Sequence, residues 1–281
     1  MKPAARGSPG GPLAAAWLGA DIEDTTRLSY CVVAASFVAF QFMFSAVSPH
    51  LSSLLSQRYM ELPAGKKCEW DSRCVSTAHA LVVGSFCLYI LAFDDAVNAD
   101  PIWGDPRLVK LNVAITCGYL LYDMLLLARY WKTMGDPFFV CHHLAVLYAY
   151  GYLLNRGVLP FFGNFRLISE LSTPFVNQRW FFDTVGQPRS SWPVLLNGFA
   201  MMAVFFLVRI AVIPWYYRES FATIGSEAYE RLGTGPQVAW FVSSGILDVL
   251  NVFWMYKIMR GFLKVVRKER PREKARKEHA G

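Results

Sequence analysis

Seven blocks of apolar residues divide the chain: 28–47, 74–93, 108–128, 138–154, 158–178, 193–213 and 236–258. A hydrocarbon core about 30 Å thick is crossed by roughly 20 apolar residues in a helix. Inside that core a backbone must satisfy its own hydrogen bonds, which leaves helices and closed barrels as the spanning structures. The fourth block is short and the fifth carries several polar residues, yet all seven have helical rather than strand length. The expected fold is an all-α membrane protein, a multi-pass helical bundle of about seven transmembrane helices. Charged residues make up only 17% of the chain, against about 25% in soluble domains, so an ordinary soluble enzyme is excluded.

The segments between the blocks set the expected organisation. Residues 1–27 begin with MKPAARGSPGGPLAAAW, where Pro and Gly interrupt any apolar core. No cleavable signal peptide is expected there. Instead the reading is a disordered lumenal tail (1–27), a first transmembrane helix with a cytosolic loop (28–66), a main membrane domain (67–263) and a basic cytosolic tail (264–281). Lys and Arg collect in cytoplasmic loops. With the C-terminus cytosolic, 18 of the 28 basic residues fall on the cytosolic side, 8 fall opposite, and Arg166 and Arg209 lie within spans. This predicts a lumenal N-terminus. The basic tail fits anionic headgroups better than nucleic acid. Trp70, Trp103, Trp131, Trp180, Trp192 and Trp215 fall near span ends, the depth indole prefers. Most of the six cysteines lie within the blocks without a C-x-x-C pair, so they read as free thiols that fill space. In the first loop, LSSLLSQRYMEL sets Leu51, Leu54, Leu55 and Leu62 on one helical face, suited either to the headgroup region or to packing on the bundle.

The polar residues inside the blocks carry the functional signal. An ionised group at the bilayer centre costs about 2.5–3.5 kcal/mol on insertion scales. Asp123, Arg166, Glu170, Arg209 and Asp248 must therefore face protein, water or one another. Their spacing agrees with this. Arg166, Glu170, Thr173 and Asn177 form one helical stripe, as do Asn112, Thr116, Tyr119 and Asp123. Ser244, Asp248 and Asn251 form a third, and Ser72, Ser76 and His79 a fourth. Four helices thus turn polar stripes toward a common interior, with His79, Arg166, Thr173, Asn177 and Asp248 as candidate substrate-binding residues. Much of this polarity also suits interhelical hydrogen bonding. Arg166 and Glu170, four residues apart, are placed to pair, and Arg209 has the length to snorkel.

The run FVCHHLAVLYAYGYLL adds two adjacent imidazoles, His142 and His143. Neighbouring helical positions diverge by about 100°, so one should line the interior and the other should meet a neighbouring helix. An imidazole oriented by a carboxylate can act as general base or nucleophile. Asp123 and Glu170 are the candidate orienting groups. His79, His142, His143 and Asp123 do not form a short-range ligand motif, so no metal is expected. Pro174 should kink the fifth span.

The strings CEWDSRCVSTAHALVVG, GYLLYDMLLL, HHLA and RLISELSTPFVNQRW resemble the TLC-domain family. The resemblance covers nearly the whole chain beyond the N-terminal tail. It implies a multi-pass protein of the endoplasmic reticulum concerned with lipid homeostasis, with membrane lipids as partners and no cofactor. Ceramide synthases of that family build an acyltransferase centre around paired histidines, which His142 and His143 match. They follow it with two aspartates three residues apart, where this chain reads Glu170 and Thr173. Two functions are implied. One is lipid binding or handling in an intramembrane polar cavity. The other is lipid acyl transfer, with His142 or His143 as base or acyl carrier, Asp123 and Glu170 beside them, and acyl-CoA as co-substrate.

Overall fold

The computed structural model describes residues 22–278, with side chains from 24 to 264. The expected N-terminal tail therefore lies largely outside the described residues. The first helix, α1 (Ile22–Phe42), begins six residues ahead of its apolar block. It continues through a π-helical turn, Met43–Val47, into a short helix, Ser48–Leu55. The other principal helices are α2 (Ala64–Phe93), α3 (Arg107–Arg129), α4 (Pro137–Arg156), α5 (Pro160–Arg166), α6 (Thr173–Thr184), α7 (Trp192–Phe205), α8 (Ile213–Ala222) and α9 (Thr234–Glu278). No strand occurs among the described residues. The backbone is helical beyond residue 264 through the basic stretch, as far as Glu278.

Six of these helical stretches are long and apolar enough to cross a membrane: 24–55, 64–93, 107–129, 137–156, 192–222 and 234–264. The fifth sequence block is not one helix. It divides into α5, a 3-10 segment (Leu167–Ser172) and α6. The division follows from Pro174, which has no N–H to offer the carbonyl of Glu170. That carbonyl accepts the N–H of Thr173 instead, which tightens the turn to 3-10 geometry. The interruption does not shorten the path. The segment runs antiparallel to α2, with Asn164 bonded to Cys87, Leu171 beside Gly84, Asn177 bonded to Ser76 and Thr77, and Phe181 against Trp70. From Cys87 to Trp70 it follows α2 for about 26 Å at 1.5 Å per residue, close to a hydrocarbon thickness.

The bundle is apolar outside and encloses polar groups within an apolar core. Val38, Phe42, Leu196, Phe199, Leu207, Val249 and Val252 are exposed, while His79, Asn112, Thr116, His143, Asn177, Arg209, Asp248 and Asn251 are buried. Apolar side chains on the outside with the polar ones buried suit lipid as solvent. Helix α1 docks on α3 where Gly118 lets the backbones meet. A Cβ at that position would lie 2.6 Å from the Val33 carbonyl oxygen. The first loop is fastened from behind. Buried Asp71 accepts from Ser48 (2.6 Å) and Tyr59 (2.8 Å), and Trp70 donates to Ser52 at 3.0 Å. Burial beside Asp71 pushes the Tyr59 phenol well up, so it stays a donor. Leu51, Leu54 and Leu55 point outward from this platform.

Candidate functional site

The polar residues of the stripes meet in the interior, but the fifth block's stripe is broken by the 3-10 segment and the partners are long-range. Asp123 and His143 each lie six residues from the facing ends of α3 and α4, about 9 Å below that end of the bundle. The His143 Nε2 is 3.7 Å from Asp123 Oδ2, about 0.8 Å longer than a normal N–H···O bond. Both groups are largely buried. Among the described residues, His79 is the histidine within 4.0 Å of Glu170. The His79 Nδ1 lies 4.0 Å from Glu170 Oε2, and the same oxygen accepts from Thr173 at 3.1 Å. The His79 ring stacks on Tyr119 at 3.9 Å. Neither ring nitrogen of His79, nor Nδ1 of His142 or His143, has a hydrogen-bond partner among the described residues.

Arg166 does not pair with Glu170. It forms a bidentate bond across 82 residues of sequence to Asp248, at 2.6 and 3.0 Å. Its guanidinium also lies 3.8 Å from the Tyr216 ring centroid. Tyr216 in turn receives the Trp240 indole N–H at 2.8 Å and meets Ser244 at 3.1 Å. Arg209 does not snorkel. It is buried on a second π-helical turn, Phe206–Ile210, and donates to Ser172 (2.9 Å) and Asn251 (3.0 Å). Asn177 joins α6 to α2 through Arg73, Ser76 and Thr77.

Beside this polar centre lies a cavity of about 90 Å³ between α4, α5, the second π turn and α9. Its lining runs along α9 from Pro236 to Asn251, about 22 Å by helix rise. A single leaflet's hydrocarbon is about 15 Å deep. His142, Glu170, Arg209 and Asn251 gather at one end, Arg166, Tyr216, Ser243 and Ser244 continue the polarity along one wall, and apolar residues such as Leu153, Phe162 and Leu247 supply much of the remaining lining. The two histidines therefore divide their roles. His142 faces the cavity and the Trp254 ring, 5.5 Å away, while His143 turns to Asp123. Of the nine residues singled out in the sequence, His142, Arg166 and Glu170 line the cavity. His143, Asp123, His79 and Thr173 form a layer beside it, Asp248 neutralises Arg166, and Asn177 joins helices. Arg209 was missed as a site residue. The signal was its charge inside an apolar block, but sequence spacing does not reveal the π turn that aims it.

Fold and site define an integral membrane protein with an enclosed polar centre. The sequence model of the TLC-domain family matches residues 69–260, and the chain belongs to that family. It is 70% identical over 259 residues to TLC domain-containing protein 4 of Xenopus tropicalis, covering 92% of this chain and all of that protein. It is 48% identical over 245 residues to TLC domain-containing protein 4 of Homo sapiens, covering 87% and 93% of the two chains. Similarity extends to topoisomerase I damage affected protein 4 of Saccharomyces cerevisiae, 26% identical over 235 residues, or 80% and 81% of the two chains. No solved structure matches the chain.

Proposed function

We propose that this protein acts in lipid homeostasis by binding a lipid chain within the membrane, in the cavity between α4, α5 and α9. The observation that carries this reading is an elongated cavity lined mostly by apolar side chains, with ionisable groups gathered toward one end. An amphiphile has the same distribution. Its chain would lie against Leu153, Phe162 and Leu247, and its head would reach His142, Glu170 and Arg209. The volume of about 90 Å³ is below the roughly 300–1,000 Å³ of drug-sized pockets. A ligand would therefore enter as a single chain and spread the side chains it meets. The proposed setting is the endoplasmic reticulum membrane, with the N-terminus lumenal and the C-terminus cytosolic. The excess of basic residues on one side supports the orientation, and the family's association with lipid metabolism supports the setting. Native mass spectrometry of the purified protein tests the proposal. Wild type should carry a lipid of defined mass that Ala149→Phe, which fills the cavity, loses. A wild type free of lipid, or equal retention by a folded Ala149→Phe, would contradict it.

A second reading, acyl transfer from acyl-CoA, is favoured by one observation. Asp123 stands 3.7 Å from the His143 imidazole, and active-site hydrogen bonds often tighten only when substrate is bound. The centre also lies within about 9 Å of the helix ends on the proposed cytosolic side. His142, which faces the cavity, would then meet the acceptor or the acyl group, and His143 with Asp123 would support it. Labelled acyl-CoA with long-chain amine or lysolipid acceptors decides between the readings. Product that disappears in folded His142→Ala and His143→Ala establishes transfer, and bound lipid without product establishes binding alone.

A further inference from the structure

We infer that the polar end of the cavity recognises an anionic head group, a carboxylate or phosphate on a single-chain lipid, through Arg209. The inference rests on the lipid-binding reading above and gives it a ligand class. Arg166, Glu170 and Arg209 line the cavity beside His142, and they differ in how far their charge is already met. Arg166 is matched by Asp248 through two hydrogen bonds. Glu170 accepts from Thr173 and faces His79. Arg209 has no carboxylate within 4 Å among the described residues. Its two hydrogen bonds go to the neutral oxygens of Ser172 and Asn251, from Nε and Nη1. Its Nη2 makes no hydrogen bond among the described residues, although the residue is 93% buried and lines the cavity.

A buried guanidinium whose carboxylate partner, Glu170, stands beyond ion-pair reach is costly, and the chain maintains it by local geometry. The π turn Phe206–Ile210 carries Arg209. Such a turn inserts one residue and so rotates the downstream helix by about 100° relative to a continuous α-helix. Ser172, at the junction of the 3-10 segment and α6, then holds Nε, and Asn251 on α9 holds Nη1. Two breaks in helical regularity therefore meet at one cation. The fork that remains suits a planar carboxylate or a phosphate, both of which accept parallel N–H bonds. The narrow cavity limits the ligand to one chain.

The test compares ligands that differ only in the head: labelled hexadecanoate, hexadecyl phosphate and hexadecan-1-ol, each titrated into the purified full chain in detergent. At least one acid should bind wild type about tenfold or more tightly than the alcohol, the scale of a charge-assisted hydrogen bond. Arg209→Gln should remove that difference, and Arg209→Lys should restore part of it. Whether the carboxylate or the phosphate shows the larger preference identifies the head. Equal binding of acid and alcohol by wild type overturns the role of Arg209, and this comparison needs no variant to fold. Persistence of the preference in Arg209→Gln also overturns it. If Ala149→Phe binds all three ligands as wild type does, the cavity reading itself fails.

Discussion

The Arg166–Asp248 pair offers the sharpest test of how this bundle is held. Two hydrogen bonds at 2.6 and 3.0 Å join α5 to α9, and both side chains are mostly buried. Replacing Asp248 with Leu leaves the guanidinium with Tyr216 as its remaining close partner, 3.8 Å from the ring centroid. Replacing Arg166 with Met leaves a buried carboxylate with no cation. Breaking such a pair from one side costs about 3–5 kcal/mol, whereas replacing both partners with apolar groups of similar volume is often neutral. At about 2–4 °C per kcal/mol for chains of similar size, each single variant should melt roughly 6–20 °C lower. The double variant Arg166→Met/Asp248→Leu should recover most of that loss, so its destabilisation should fall well short of the sum of the two singles. Thermal unfolding in detergent, followed by tryptophan fluorescence, measures all four proteins. Single variants that each melt within about 2 °C of wild type, or a double variant whose loss is the sum of the singles, would refute the reasoning.

Gly118→Val should push α1 off α3, because a Cβ there meets the Val33 backbone at 2.6 Å. Overpacking of this kind costs about 1–3 kcal/mol, seen as a lower melting point and faster proteolysis before residue 56; an unchanged digest would contradict the contact. Tyr59→Phe removes one of two hydroxyl donors to buried Asp71 and should cost about 1–3 kcal/mol, while Arg58→Ala, an exposed neighbour paired with Glu61, should cost under about 1 kcal/mol. A C-terminal tag should be digested by protease added outside sealed microsomes, and an N-terminal tag should be protected; the reverse pattern would invert the proposed orientation.

Much of this molecule can be read without coordinates because the bilayer penalises polarity so heavily. Asp123, Glu170 and Asp248 had to face inward, and regular spacing showed which face each helix would turn. Pro174 announced a break, although the break takes the form of a 3-10 segment upstream of it rather than a kink in a continuous helix. Pairing was harder to read. Local spacing joins Arg166 to Glu170, but tertiary geometry gives Arg166 to Asp248, 82 residues away. The arginine that the sequence left free to snorkel became the best-placed cation in the cavity, because a π turn re-aims it and leaves no mark in composition. Adjacent histidines had to diverge, and the structure supplied the direction of each: His142 to the cavity and His143 to Asp123.

Photo-crosslinking addresses the cavity most directly. A fatty acid carrying a diazirine near the middle of its chain would be incorporated with the purified protein, irradiated, and its adducts mapped by mass spectrometry. Binding inside the bundle predicts adducts on Leu153, Phe162 and Leu247, which line the slot. Adducts confined to the outward-facing Leu207, Val249 and Val252 would mean that the chain touches the protein only as bulk lipid does, and would contradict the account.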